Sequence, residues 1–140
     1  MIDIETIGLE FETSKEGEIL DITDNINQAL LQSHMKEGMA GIFVQGSTAA
    51  LAVIEYEQGL LLDFYSMLER VAPKDIVYQH EKAYHDGNGH SHVRASLLGP
   101  SLNIPFIDSK LALGTWQRVT LLELDIRPRK RSVILQLIGK

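Results

Sequence analysis

The chain has 140 residues, 44% of them hydrophobic and 23% charged, a size and composition that suit one domain (1–140) with a packed core. Its 19 acidic residues against 13 basic ones give a net charge of −6, which argues against general nucleic-acid binding. Cysteine is absent, so disulfides and thiolate metal sites are excluded; with no apolar run near the roughly 20 residues that cross a bilayer and no signal-peptide pattern at Met1-Ile2-Asp3-Ile4-Glu5, a cytoplasmic protein without a membrane partner is expected.

Residues 2–13 are rich in Ile, Thr and Phe, and Lys15-Glu16-Gly17-Glu18 supplies a turn before Ile19-Leu20-Asp21-Ile22, which predicts a hairpin. Thr23 or Asp24 then caps a helix carrying Ile26, Ala29 and Leu30 on one side, with Gly38 as its terminator. Ile42-Phe43-Val44 and Ala49 to Ile54 read as buried strands around a break at Gly46-Ser47-Thr48. Leu60 to Val71 has helical spacing and ends before Pro73. Leu102 to Phe106 reads as an edge strand, since Pro105 has no N–H to donate. Asp108-Ser109 turns the chain into Lys110 to Leu113, and Val119 to Ile126 and Ser132 to Ile138 form a long pair joined by a basic turn. The fold class expected is α+β: a mostly antiparallel, sandwich-like sheet with two or three helices on one face.

Four of the five histidines, His80, His85, His90 and His92, fall within thirteen residues, and the densest stretch reads Asp86-Gly87-Asn88-Gly89-His90-Ser91-His92. Imidazole is the commonest side-chain ligand of zinc and its neighbours. Residues two apart share one side of an extended strand but stand about 200° apart on a helix. His90 and His92 therefore share an ion only if the chain is extended there. Asp86 and Asn88 either orient the imidazoles from outside or simply form the turn. Arg127-Pro128-Arg129-Lys130-Arg131 is either a solvated turn or an anion patch, because guanidinium forks match phosphate geometry.

The run from Asp86 to Ser101, with Leu113-Gly114-Thr115-Trp116-Gln117 and Glu123, resembles the YjbQ family, whose members are often labelled secondary thiamine-phosphate synthase enzymes. The resemblance implies an α+β homotrimer with a histidine-lined, metal-capable site. It also implies a metal-assisted transferase joining phosphorylated pyrimidine and thiazole precursors, a small phosphorylated molecule thus being the substrate. Family members commonly carry a histidine where this chain has Gly46, ahead of Ser47, Thr48 and Ala49. If His90 fills the vacated space, His80, His90 and His92 hold the metal; His80, His92 and Glu55 are the alternative. A histidine-rich set suits zinc or another transition metal better than magnesium.

Glu123 interrupts a run of leucines and by strand alternation points outward, whereas the resemblance turns it to the site as a general base, with Glu55 the second candidate carboxylate. Ser47, Thr48, Asn88, Arg118, Arg129 and Arg131 are the candidate substrate and phosphate contacts. Trp116, the only tryptophan, is either core or a wall for a heteroaromatic ring. A metal-dependent hydrolase and a non-catalytic metal- or ligand-binding trimer are the competing functions.

Overall fold

The computed structural model describes residues 1–140. Eight strands and four helices follow in the order β1 (Asp3–Glu12), β2 (Ile19–Asp21), α1 (Thr23–Ser33), β3 (Glu37–Gln45), β4 (Ala49–Ile54), α2 (Gln58–Val71), α3 (Gln79–Tyr84), α4 (Gly89–Leu98), β5 (Ser101–Ile107), β6 (Lys110–Leu111), β7 (Arg118–Glu123) and β8 (Lys130–Gly139). They make two antiparallel sheets, β1-β8-β3-β5-β6 and β2-β7-β4.

The burial patterns of the strands distinguish the two sheets. Along β8 every second residue is buried, from Arg131 through Val133, Leu135 and Leu137 to Gly139, because the large sheet has one face on the core and one in water. In β7 the run from Val119 to Glu123 is buried without interruption, because the small sheet is covered on both sides. Between the sheets lies a core of 18 buried residues, including Ile42, Val44, Leu121, Val133, Leu135 and Leu137, closed by Ile26, Ala29 and Leu30 of α1. On the far side of the small sheet, Leu68 of α2 and Ala95 of α4 pack on Ala50, Leu122 and Leu124. The order of layers is large sheet, small sheet, helices.

Two expected pairings do not form. The segments 2–13 and 19–22 are no hairpin: β1 pairs with β8 and β2 with β7. Nor do β7 and β8 pair with each other, since the chain changes sheets between them. Alternation specifies which face a strand buries but not its neighbour, and short sequence separation favoured the wrong partners. Gly38 is not a helix terminator. His34 ends α1 in the left-handed conformation (φ 63°), and Gly38 lies in β3, where a Cβ would fall 2.1 Å from the Ile138 carbonyl oxygen. Residues 79–84 and 89–98 are helical, so the expectation of extended backbone at 90–92 is not met.

Three of the segments in which the chain switches sheets, 13–18, 46–48 and 124–129, gather at one end of the sandwich. Leaving a ladder frees backbone groups that need partners. Gly17 N–H donates to Glu123 O at 2.8 Å, Glu123 N–H to Glu18 O at 2.9 Å and Leu124 N–H to Thr48 O at 2.9 Å. This end is also where the predicted polar residues meet.

Candidate metal centre and its polar surroundings

His80 stands in the first turn of α3 and His92 in the first turn of α4, while Asp86 lies in the loop between them. The six-residue spacing on either side of Asp86 brings the three together once the helices fold back on each other. One ligand atom from each lies within 4.8 Å of the others. The two imidazole rings approach to 4.4 Å between centroids, and His80 Nδ1 is 3.5 Å from Asp86 Oδ1. That nitrogen is buried and has no hydrogen-bond partner. A buried polar atom without a partner is costly and needs a reason.

Two atoms bound to one tetrahedral ion at about 2.1 Å lie about 3.4 Å apart, so side-chain rotations that bring the ligand atoms closer by up to about 1.4 Å close the set. Two imidazoles and a carboxylate suit a zinc-class ion and leave a coordination position open. Around the centre, Glu81 accepts from Gly87 N–H and Gly89 N–H, each at 2.7 Å, and Asp86 Oδ1 accepts from Asn88 N–H at 3.1 Å, fixing the loop from both sides.

His90 lies elsewhere. It is two residues before His92 on the same helix, and its buried ring meets Glu16 Oε1 at 2.9 Å, with Lys74 Nζ at 3.0 Å from Glu16 Oε2. Nor does it fill the space above Gly46. An added Cβ there would fall 2.7 Å from Arg131 Nη1. Sequence reasoning weighed Asp86 only as an orienting or turn residue; its equal spacing from His80 and His92 was the available signal.

The other candidates divide into two groups. Thr48, Asn88, Glu123, Arg129 and Arg131 converge at the sheet-switching end, together with Asp125, which the sequence analysis missed. Asp125 is fully buried and accepts from Thr48 Oγ1 at 3.0 Å, Asn88 Nδ2 at 3.2 Å, Arg127 N–H at 3.1 Å and Arg129 Nε at 3.0 Å. Burial pushes its carboxyl up, yet these hydrogen bonds win and hold it below the ordinary aspartate value. Glu123, also fully buried, is paired with Arg131 Nε at 2.9 Å and with Nη2, and accepts from Thr13 Oγ1 at 2.6 Å. Arg131 Nη2 further donates to Thr48 Oγ1 at 2.8 Å. Asn88 ties this network to the His80-Asp86-His92 cluster, since its backbone carbonyl accepts from His92 N–H at 3.1 Å.

Glu55, Trp116 and Arg118 form the second group. With Asp21, Tyr56 and Glu57 they line a cavity of about 310 Å³ to which no histidine contributes. Trp116 is 73% exposed there and so belongs to no core. Arg118 is held by Asp21 Oδ2 at 2.7 Å and Asp24 Oδ1 at 3.0 Å, and its guanidinium helps keep the Asp21 carboxyl below its ordinary value against the opposing effect of burial.

An antiparallel β-sandwich with helices on the smaller sheet and a His-Asp-His cluster at the head of a helix pair defines the class. The family model for UPF0047, YjbQ-like proteins matches residues 7–140. A UPF0047 protein of Methanothermobacter thermautotrophicus is 38% identical over 139 residues, covering 99% of this chain and 95% of the relative. One from Archaeoglobus fulgidus is 38% identical over 128 residues, covering 91% and 97%. The crystal structure of a YjbQ-like protein of unknown function from Sulfolobus solfataricus superposes with a TM-score of 0.94 at 31% identity, covering 100% of both chains. A family member from Clostridium acetobutylicum gives 0.83 at 33% identity, over 94% and 98%. The chain belongs to the YjbQ/UPF0047 family.

Proposed function

We propose that the protein is a metal-dependent enzyme acting on a small phosphorylated molecule, with a zinc-class ion held by His80, Asp86 and His92. One observation carries this reading: the buried His80 Nδ1 without a partner, beside Asp86 and with its ring tilted against that of His92. When bound, such an ion supplies Lewis acidity to a phosphate oxygen or an acidified water. Asn88 holds the α4 turn that carries His92, Glu81 holds the loop that carries Asp86, and Arg127, 55% exposed, stands beside the network as a cation for substrate. Glu123 in this reading fixes Arg131, since both its oxygens are engaged.

For the reaction itself we propose group transfer between phosphorylated pyrimidine and thiazole precursors, the activity that the sequence resemblance implies. Hydrolysis of a phosphate ester is the second reading. It is favoured by the pairing of Arg118, Arg129 and Arg131 with carboxylates, which leaves few free cations for a diphosphate leaving group. We further propose assembly as a homotrimer. The outer face of the large sheet presents Ile4, Met39, Phe43 and Ile138 to solvent, an apolar surface of the kind that subunits cover.

The deciding measurement is metal content of protein purified without a histidine tag. About one zinc-class ion per chain is expected, lost in His80→Ala and His92→Ala and retained in His90→Ala. Absence of metal after reconstitution with zinc, nickel or iron overturns the proposal. Assays with thiamine precursors and with phosphate esters then separate transfer from hydrolysis, and full metal with turnover of neither favours a binding protein.

A further inference from the structure

We infer that the turn Gly46-Ser47-Thr48, backed by Arg131, is an anion site that takes a phosphate group. This gives the proposed phosphorylated substrate its seat, and so rests on that reading for its biological sense. Its physical basis is independent of the metal.

Arg131 is 95% buried, its residual exposure being 5%. Its Nε and Nη2 are consumed by Glu123 and Thr48, whereas Nη1 donates to no protein acceptor. That free N–H group lies under Gly46, only 2.7 Å from where a Cβ would stand, and Gly46 itself is exposed. The missing side chain is thus the opening through which a buried guanidinium reaches solvent. Gly46 has φ +135°, a conformation that side chains resist, so the opening is built into the backbone as well.

The amides of Gly46, Ser47 and Thr48 make no hydrogen bond to the protein, because the chain has left β3 and has not yet joined β4. The Ser47 hydroxyl is likewise unengaged and exposed. Consecutive free amides beside a guanidinium are the donor set that phosphate oxygens take. The nearby charges leave room for an anion: Arg127, Arg129 and Arg131 face two buried carboxylates, Glu123 and Asp125. Asp125 joins this turn to the metal ligands, since it holds both Thr48 and Asn88.

The test is a titration of metal-stripped protein with inorganic phosphate, followed by amide and arginine side-chain NMR shifts. Saturable shifts are expected at Gly46, Ser47, Thr48 and the Arg131 guanidinium. Gly46→Ala, which closes the opening, should weaken binding by about tenfold or more, the scale of losing a charge-assisted hydrogen bond. Shifts confined to Arg127, Arg129 and Lys130, or no saturation, overturn the site. So does unchanged affinity in a folded Gly46→Ala. The wild-type map decides even if that variant does not fold. Phosphate binding without any metal affinity would sink the metal-dependent reading and leave this site standing, and metal binding without phosphate shifts would do the reverse.

Discussion

At Asp125 and His90, single side chains do the work of joining segments distant in sequence. The four hydrogen bonds to Asp125 outweigh burial and lower its pKa, so the folded protein binds that proton less readily than the unfolded chain. The resulting stabilisation is fully present above the unfolded value, about 3.9, and is lost as pH falls through the lower folded value. Asp125→Asn should therefore cost about 1–3 kcal/mol at pH 7, and the gap to wild type should narrow in acid, as urea unfolding at several pH values will show. An equal gap at every pH would mean that the charge is not what matters. His90 joins α4 to the turn before β2 through Glu16. His90→Ala should lower stability by about 1–3 kcal/mol by leaving the Glu16 carboxylate underpaired, while metal content stays unchanged. Loss of metal in that variant would return His90 to the ligand set.

The elements show how closely β8 is fitted between β1 and β3. A Cβ on Gly139 would meet the Glu37 carbonyl oxygen at 2.1 Å, a backbone atom that cannot swing aside. Gly139→Ala should cost about 3 kcal/mol, the upper range of overpacking, because strand β3 must shift to admit a methyl group. Chemical denaturation measures it, and a loss below about 1 kcal/mol would show that the strands separate there more easily than the packing implies. Helix α2 begins differently, with Glu57 accepting from Gly59 N–H at 2.9 Å and Leu60 N–H at 2.8 Å; these two bonds hold its carboxyl below the usual glutamate value.

For the whole molecule, the large sheet has one face in the core and the other bare. Light scattering should return about three times the chain mass of 15.7 kDa. Phe43, 44% exposed on the central strand β3, is the point at which to test the face. Phe43→Glu should dissociate the trimer without unfolding the chain, since no core contact is removed. A wild-type monomer at micromolar concentration would refute the assembly, and an intact trimer in the variant would move its interface elsewhere.

Much was legible in the residues themselves. Apart from Glu123, which strand alternation turned outward and the twice-covered β7 buries, apolar runs mark β7 and β8 as strands, helical spacing marks α1 and α2, and the crowd of histidines around Asp86 marks where the candidate ligands lie. These are local properties, set by side-chain period and residue type within a few positions. Strand partners are not local: β1 finds β8 across the whole chain, and the basic turn connects two sheets instead of closing a hairpin. The choice among imidazoles was equally out of reach, because it turned on whether 89–92 was extended or helical. A short Gly- and His-rich stretch has no decisive preference, so packing against the small sheet decides it. Once helical, His92 faces His80 and Asp86 while His90 faces Glu16. Likewise only the fold placed Arg131 beneath Gly46, because that approach needs two strands to lie side by side before one glycine can matter.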